Sequence, residues 1–255
     1  MLSFISNAVK NKEYIIFIHG IASTSETFKN QIKLFKKEFS IISLDLPGYG
    51  RSAQIKNITI SKYADIIYNF LLSKNISKPI LIGHSLGGMI VQEIITKKVS
   101  FAKAAVLIAT SAKFGSNDES WQNNFISSRL EPLDKGKSMK DISTKSITNI
   151  MAPNPHKKTI NFASKIMGSI SKNTYKSAIH SLIGFDLRHK LQDIIIPTLL
   201  ISGEKDKQAP SKTMKSMSKK IKYCQYIEIK NCGHLIHLEK PEIFDKSIKD
   251  FILNL

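Results

Sequence analysis

The sequence predicts an α/β protein built on a mostly parallel β-sheet, with a helical segment inserted before the last strands. Short apolar runs alternate with longer amphipathic segments from residue 14 to residue 110, and this alternation returns after residue 190. Between them, residues 112–190 contain no strong strand pattern. Strands that alternate with helices favour a parallel sheet, because each crossover returns the chain to the same edge.

The strands and helices can be placed in chain order. Helices are expected over residues 24–40, where Phe28, Ile32, Phe35 and Phe39 share one face, over residues 60–73, directly after Ser85, and over residues 241–255. The six predicted strands are YIIFI (14–18), SIISLD (40–45), PILIG (79–83), AAVLIAT (104–110), IIIPTLLISGEKD (194–206) and YCQYIEIK (223–230). The pattern predicts one sheet domain, residues 1–111 and 191–255, interrupted by a helical cap at 112–190.

The charge and composition narrow the classes of function. The 255-residue chain has a net charge of +18, carried almost wholly by dispersed lysines. This dispersion favours a solvated basic surface over a nucleic-acid site, which would cluster its charge. An acidic partner, such as an acyl carrier protein, stays as an alternative.

Location and redox state follow from what the sequence lacks. No signal peptide is recognisable and no apolar run reaches a membrane-spanning length, so we expect a cytoplasmic protein without a membrane span. Cys224 and Cys232 match no metal-ligand spacing and are expected to be reduced thiols.

A serine lies at the end of the third predicted strand, within the pentapeptide GHSLG (83–87). This Gly-x-Ser-x-Gly pattern is typical of a sharp turn from strand to helix that exposes a nucleophilic serine. A serine hydroxyl needs a base to take its proton and an acid to orient that base. The pattern therefore nominates Ser85 as a nucleophile, with a simple turn residue as the alternative.

The downstream sequence supplies both partners in the order acid, then histidine, that this turn predicts. Asp206 follows the apolar strand of LLISGEKD and is favoured over Glu204 and Asp193 as the acid. His234 lies in a Gly-His loop after the last predicted strand and is the expected base. His19, His84 and His237 are expected to pack or hydrogen-bond structurally, as is Asp45 in its turn.

Two backbone amides are expected to stabilise the oxyanion that forms when a carbonyl is attacked. One is the amide of Leu86, which begins the helix after the serine. The other is the amide of Ile21, in the loop after the first predicted strand, where Gly20 allows close approach.

With these motifs the chain resembles the α/β-hydrolase fold family. The resemblance rests on His19-Gly20, DLPGYGRS (45–52), GHSLGG (83–88), SGEKD (202–206) and CGHLIHLEKP (232–241). It implies a mostly parallel eight-stranded sheet, a helical cap after the sixth strand, and neither a metal nor an organic cofactor. It also implies acyl transfer through a serine ester, because serine rather than a carboxylate occupies the turn.

The resemblance extends to substrate class only in part. Residues 179–206 are similar to the 3-oxoadipate enol-lactonase branch, so a small carboxylic ester or lactone is the expected substrate. An esterase or thioesterase for carrier-bound acyl groups, similar to the pimeloyl methyl ester esterases, is a second reading. A small-molecule receptor that keeps Ser85, Asp206 and His234 is a third reading. Trp121, the only tryptophan, either lines the pocket or packs inside the cap.

Overall fold

The computed structural model describes residues 1–10, 12–115 and 119–255. Its strands are β1 Phe4–Asn7, β2 Tyr14–Ile18, β3 Ser40–Leu44, β4 Ile80–His84, β5 Ala104–Ile108, β6 Thr198–Gly203 and β7 Cys224–Ile229. Its α-helices are α1 Lys29–Phe35, α2 Ile60–Ser73, α3 Leu86–Lys97, α4 Glu119–Asp134, α5 Met139–Ile150, α6 Lys157–Gly168, α7 Lys172–His180, α8 Ser211–Ser218, α9 Ile236–Glu239 and α10 Pro241–Leu253. Short 3-10 helices cover Ser25–Phe28 and Leu191–Asp193.

The strands form one sheet in the order β1-β3-β2-β4-β5-β6-β7. All neighbours are parallel except β1, which pairs antiparallel with β3 at the edge. The six strands predicted from apolar runs are confirmed, and β1 is an addition. The described residues therefore contain seven strands rather than eight, because the eighth was implied by the family resemblance and corresponds to no apolar run in the sequence.

Both faces of the central strands are buried, which explains why their sequences are continuously apolar. Alternate residues of each strand point to opposite faces. The first face packs against α2, α3 and α8, and its sheet residues include Ile16, Ile18, Ile42, Leu81, Leu107 and Leu200. The second packs against α1 and α10, and its sheet residues include Ile15, Phe17, Ile80, Val106, Leu199 and Ile201.

The first helix is shorter than the sequence predicts. The expected helix over residues 24–40 divides into the 3-10 turn Ser25–Phe28 and α1, which ends at Phe35. Tertiary contacts hold the 3-10 turn, since the Ser25 amide donates to Asp45 Oδ1 at 2.8 Å and Thr27 Oγ1 bonds to His237 Nε2 at 2.8 Å. The helical pattern was correct, but these long-range bonds determine the geometry of its first turn.

The segment between β5 and β6 is helical, as its lack of strand pattern indicated. It contains α4, α5, α6 and α7, and among its described residues only Lys113 and Asp186 form a β-bridge. Buried side chains of α4, α5 and α7 join the same hydrophobic cluster as the first face of the sheet. The division into core and cap at residues 112 and 190 stays a prediction.

Reactive cysteines, metal-binding clusters and membrane-spanning helices are absent from the described ranges. Cys224 and Cys232 are free, and burial raises the pKa of each thiol to about 12, so both are poor nucleophiles. Within these ranges no three His, Cys, Asp or Glu side chains are grouped to hold a metal ion. None of the helices in this part of the chain is long and apolar enough to cross a membrane.

Candidate active site

Ser85 lies at the turn between β4 and α3, with φ of 53° and ψ of −116°. A non-glycine residue at positive φ is strained, and such strain persists only where surrounding packing imposes it. Here the packing is close, because a Cβ added to Gly87 would lie 2.1 Å from the carbonyl oxygen of Ile18. The glycine thus lets α3 start directly against the end of β2, which fixes the position of Ser85.

Three side chains from the carboxyl ends of three strands form a hydrogen-bonded chain. His234 Nδ1 lies 2.8 Å from Asp206 Oδ2, and His234 Nε2 lies 3.0 Å from Ser85 Oγ. A carboxylate can only accept, so Nδ1 carries the proton and Nε2 is free to accept from the serine hydroxyl. The structure therefore brings the three predicted residues within hydrogen-bonding distance of one another, and their catalytic roles stay a prediction.

The two oxygens of Asp206 have separate partners. Oδ1 accepts the backbone N–H groups of Gln208 at 2.7 Å and Ala209 at 3.1 Å, and Oδ2 accepts His234 Nδ1–H. The Asp206 side chain is fully buried. Because each oxygen is already committed, the carboxylate cannot rotate without losing a hydrogen bond, and it holds the imidazole in one orientation.

The other two acidic candidates do not contact His234. Glu204 Oε2 accepts the backbone N–H of Asn231 at 3.0 Å, and its other oxygen lies 3.4 Å from Lys230 Nζ. Asp193 ends the 3-10 helix before β6 and is exposed. Of the three acidic residues that the sequence offered, only Asp206 reaches the histidine.

The two predicted oxyanion donors lie beside the serine. Ile21 and Leu86 both line the cavity into which Ser85 opens. Across the described residues, neither backbone N–H hydrogen-bonds to another protein group. A Cβ on Gly20 would lie 2.9 Å from His84 Nδ1 and 3.0 Å from Ser85 Cβ, so only glycine lets this loop approach the turn. Their role as oxyanion donors stays a prediction.

Three further histidines are buried around the site, as the sequence analysis anticipated. Burial lowers the pKa of His19 to about 4 and of His237 to about 3. Burial and the neighbouring histidines hold the pKa of His84 well below its usual value. His84 Nε2–H donates to the carbonyl oxygen of His234 at 2.9 Å, and His237 bonds Thr27. The His84 ring packs against His234 and against His237, whereas His19 accepts the backbone N–H of Leu46 and packs against Tyr49.

Glu239 fixes the loop that carries His234 and was not among the predicted site residues. Its Oε2 accepts the backbone N–H groups of Gly233 at 3.0 Å and Ala152 at 2.8 Å, and its Oε1 accepts that of Leu235 at 3.0 Å. The carboxylate thus holds both neighbours of His234 and joins them to the segment after α5. No residue pattern signals this role, because the donors are backbone groups from two distant segments.

We expect Glu239→Gln to lower kcat of ester hydrolysis by about 10- to 100-fold, because a displacement of the base by roughly 1 Å costs about 100-fold. Glutamine has one acceptor oxygen for three donors and must turn its own N–H₂ group toward some of them. Steady-state kinetics well below the melting temperature should show the loss in kcat with little change in KM.

Glu242→Gln is the matched control, since Glu242 is exposed in the first turn of α10. A Glu239→Gln variant with a lower melting temperature and an unchanged kcat would assign Glu239 a purely structural role.

A cavity of about 600 Å³ opens above Ser85 and His234, a size suited to a small organic ligand. Helices α4, α5 and α7 contribute to its walls, and the carbonyl of Ile150 at the end of α5 accepts the His234 backbone N–H at 2.8 Å. Trp121 lines this cavity and its ring stacks on Phe125 with centroids 5.3 Å apart. Trp121 is also exposed, and its role in substrate binding stays a prediction.

A family profile and two curated proteins each match most of the chain. The sequence profile of the alpha/beta hydrolase fold family matches residues 13–241. The chain is 31% identical to a pimeloyl-[acyl-carrier protein] methyl ester esterase of Wigglesworthia glossinidia brevipalpis, covering 93% of each chain. It is 25% identical to 3-oxoadipate enol-lactonase 1 of Acinetobacter baylyi, covering 100% of this chain and 94% of that one.

Solved structures share the same architecture. The enol-lactonase from Burkholderia xenovorans LB400 superposes with a TM-score of 0.87 at 19% identity, covering 99% of this chain and 96% of that one. At this identity the likeness concerns the fold alone, so the choice of substrate must be argued from the residues of this chain.

Proposed function

This chain belongs to the alpha/beta hydrolase fold family, and we propose that it is a serine hydrolase that cleaves a small carboxylic ester or lactone. The observation that carries the proposal is the chain of hydrogen bonds from Asp206 through His234 to Ser85, at 2.8 Å and 3.0 Å. A serine so placed beside an oriented imidazole that can accept its proton is an activated nucleophile.

In the proposed reaction, Ser85 Oγ attacks the carbonyl carbon while His234 Nε2 takes the hydroxyl proton. The carbonyl oxygen becomes an oxyanion that accepts the N–H groups of Ile21 and Leu86. Collapse of this intermediate breaks the ester bond, and His234 gives its proton to the leaving alkoxide, which departs as an alcohol or stays tethered in a lactone. An acyl ester on Ser85 remains.

Water then completes the cycle. His234 takes a proton from a water molecule, the resulting hydroxide attacks the acyl carbon, and a second oxyanion forms at the same two amides. When the bond to Ser85 Oγ breaks, His234 returns the proton to the serine and the carboxylic acid leaves. We propose that residues 112–190 act as a cap that gives the cavity its walls and restricts which esters enter.

A carrier-bound acyl ester is the second candidate substrate. It is supported by the relative named as an esterase for pimeloyl groups on acyl carrier protein and by the net charge of +18, which would attract an acidic carrier. Small free esters and lactones remain the first candidate, because the enol-lactonase relative spans the whole chain and the cavity is of small-molecule size.

The proposal is tested by incubating the protein with a fluorophosphonate, which reacts with activated serines. We expect one equivalent of label on the peptide that contains Ser85, together with hydrolysis of p-nitrophenyl esters and simple lactones that stops as labelling proceeds. Mass spectrometry and initial rates measure the two outcomes. If the protein shows no labelling and no turnover, the proposal is contradicted and a small-molecule receptor is favoured.

Salt dependence separates the two candidate substrates. A carrier-bound acyl ester should be cleaved more slowly as ionic strength rises, because charge attraction between proteins is screened over about 10 Å at 0.1 M salt. Turnover of small neutral esters should change little. Faster cleavage of free esters that is independent of salt would contradict the carrier-protein candidate.

A further inference from the structure

A guanidinium group lines the cavity above Ser85. Arg129 lies on α4, is half-buried, and rests on the ring of Phe125 with its Cζ 3.4 Å from the ring centroid. Its Nη1 donates to the backbone oxygen of Phe125 at 3.2 Å, and its Nη2 donates to Gln208 Oε1. These contacts hold the side chain in one position, and all of the partners are neutral.

Arg129 brings a positive charge to the wall of the cavity. Among the residues that the structure describes, no Asp or Glu lines the cavity beside Arg129. Within the same residues, no carboxylate pairs with Arg129. Burial lowers the pKa of Arg129, because a charge removed from water without an anion beside it is destabilised. A bound anion would offset that cost.

Arg129 has donors left to bind such an anion. A guanidinium carries five N–H groups, and in the described part of the chain two of them have protein acceptors. The remaining donors include one on each terminal nitrogen and the Nε–H. Carboxylates are bound by two parallel N–H groups of this kind, which gives both affinity and a fixed direction.

Gln208 connects this arginine to the catalytic machinery. Its backbone N–H donates to Asp206 Oδ1 at 2.7 Å, and its side-chain oxygen accepts from Arg129. One residue therefore separates the guanidinium from the acid that orients His234. Ser85 and Arg129 line the same cavity, so one ligand can contact both.

From this geometry we infer that Arg129 is a specificity-determining residue that binds a carboxylate on the substrate, so that the preferred substrates are small esters or lactones with a free carboxylate. The inference rests on the proposed ester hydrolysis and adds the class of its substrate. The carboxylate remains ionised and takes no part in bond making, and its role is to place the scissile carbonyl at Ser85.

The test compares two substrates that differ only in one charge: the mono-p-nitrophenyl ester of glutaric acid and the same compound with its free carboxylate methylated. We expect the wild-type protein to prefer the anionic ester in kcat/KM. Arg129→Met, which keeps the packing of the side-chain stem, should lose about 10- to 100-fold on the anionic ester, mainly through KM. Its loss on the methylated ester should be at least about fivefold smaller, because that substrate has no carboxylate for Arg129 to bind.

The matched control is Arg51→Met, which removes the same charge from an exposed position outside the cavity lining. It should leave the preference unchanged, which excludes an effect of net charge on both substrates. Equal losses of Arg129→Met on the two esters would show that Arg129 only joins α4 to the Gln208 loop. Either this result or a wild-type protein without preference would overturn the inference.

A binding experiment separates failure of this inference from failure of the proposed function. In Ser85→Ala, the fluorescence of Trp121, the only tryptophan, can be followed during titration with monomethyl glutarate and with dimethyl glutarate. Trp121 stacks on Phe125, and the Arg129 guanidinium rests on the same Phe125 ring. Ligand binding at Arg129 should therefore change the emission of Trp121. We expect a saturable change with the monoanion that is lost in Ser85→Ala/Arg129→Met.

Each combination of results has a distinct meaning. Ser85-dependent hydrolysis without a preference for the anion would leave the proposed function standing and overturn the role of Arg129. A protein that hydrolyses no ester but binds the monoanion through Arg129 would contradict the hydrolase and support the carboxylate site. No saturable change with the monoanion would overturn the carboxylate site whatever the protein hydrolyses.

Discussion

Ser85→Ala is expected to lower kcat of ester hydrolysis by roughly 10⁴- to 10⁶-fold, with little change in KM. The hydroxyl lies 3.0 Å from Nε2 of His234, the nitrogen that faces away from Asp206. Without it, His234 can activate only water, which is neither covalently positioned nor held at a strained turn. Initial rates of p-nitrophenyl butyrate hydrolysis by purified wild-type and variant proteins measure this difference.

Ser111→Ala is the matched control, because Ser111 also lines the cavity while its hydroxyl donates to the backbone oxygen of Lys113 at 2.7 Å. This variant should retain a rate within about threefold of the wild-type rate, as a substitution outside the chemistry does. If Ser85→Ala kept a comparable rate, the nucleophile would have to be another group, and the proposed mechanism would be wrong.

Asp206→Asn is expected to lower kcat by about 10⁴-fold, because asparagine moves the imidazole proton of His234 from Nδ1 to Nε2. The two backbone N–H groups at Oδ1 require an acceptor, so the asparagine oxygen must take that position. Its N–H₂ group then faces His234 Nδ1 and donates to it. The ring proton moves to Nε2, which can no longer accept the proton of Ser85.

The acids that the sequence left as alternatives provide the controls. Glu204→Gln and Asp193→Asn make the same chemical change at residues that do not contact His234, and each should keep kcat within about threefold of the wild-type value. Steady-state kinetics at neutral pH, with circular dichroism to verify folding, would test all three variants. A large loss in Glu204→Gln combined with an active Asp206→Asn would exchange the roles of these residues.

Local sequence patterns predicted the sheet well and its edge poorly. The five inner strands are rich in apolar residues and largely buried, and the partly buried edge strand β7 was still predicted from YCQYIEIK, whereas β1, with the sequence FISN, was not. Half of this short edge strand is polar, and its position depends on pairing with β3, so it gives little local signal. The strand count of eight came from the family resemblance, and the described residues contain seven.

The predicted catalytic residues were identifiable because their chemistry depends on local context. A Gly-x-Ser-x-Gly turn after an apolar strand and a Gly-His loop after the last strand are features of neighbouring residues. The local sequence gave weaker evidence for the acid, since Asp193, Glu204 and Asp206 all lie near one strand. Only the fold resolved that choice, by bringing Asp206 to 2.8 Å from His234 across 28 residues of chain.

The sequence by itself determined the α/β class, six of the seven described strands and the residue types needed for a serine nucleophile, because each is encoded in periodicity or in adjacent residues. The tertiary structure decided which groups meet. Ser85 and His234 are 149 residues apart, Glu239 holds backbone amides from two segments, and Arg129 contacts Gln208 across 79 residues. Such contacts depend on how helices and loops pack at one edge of the sheet, and no local pattern records that packing.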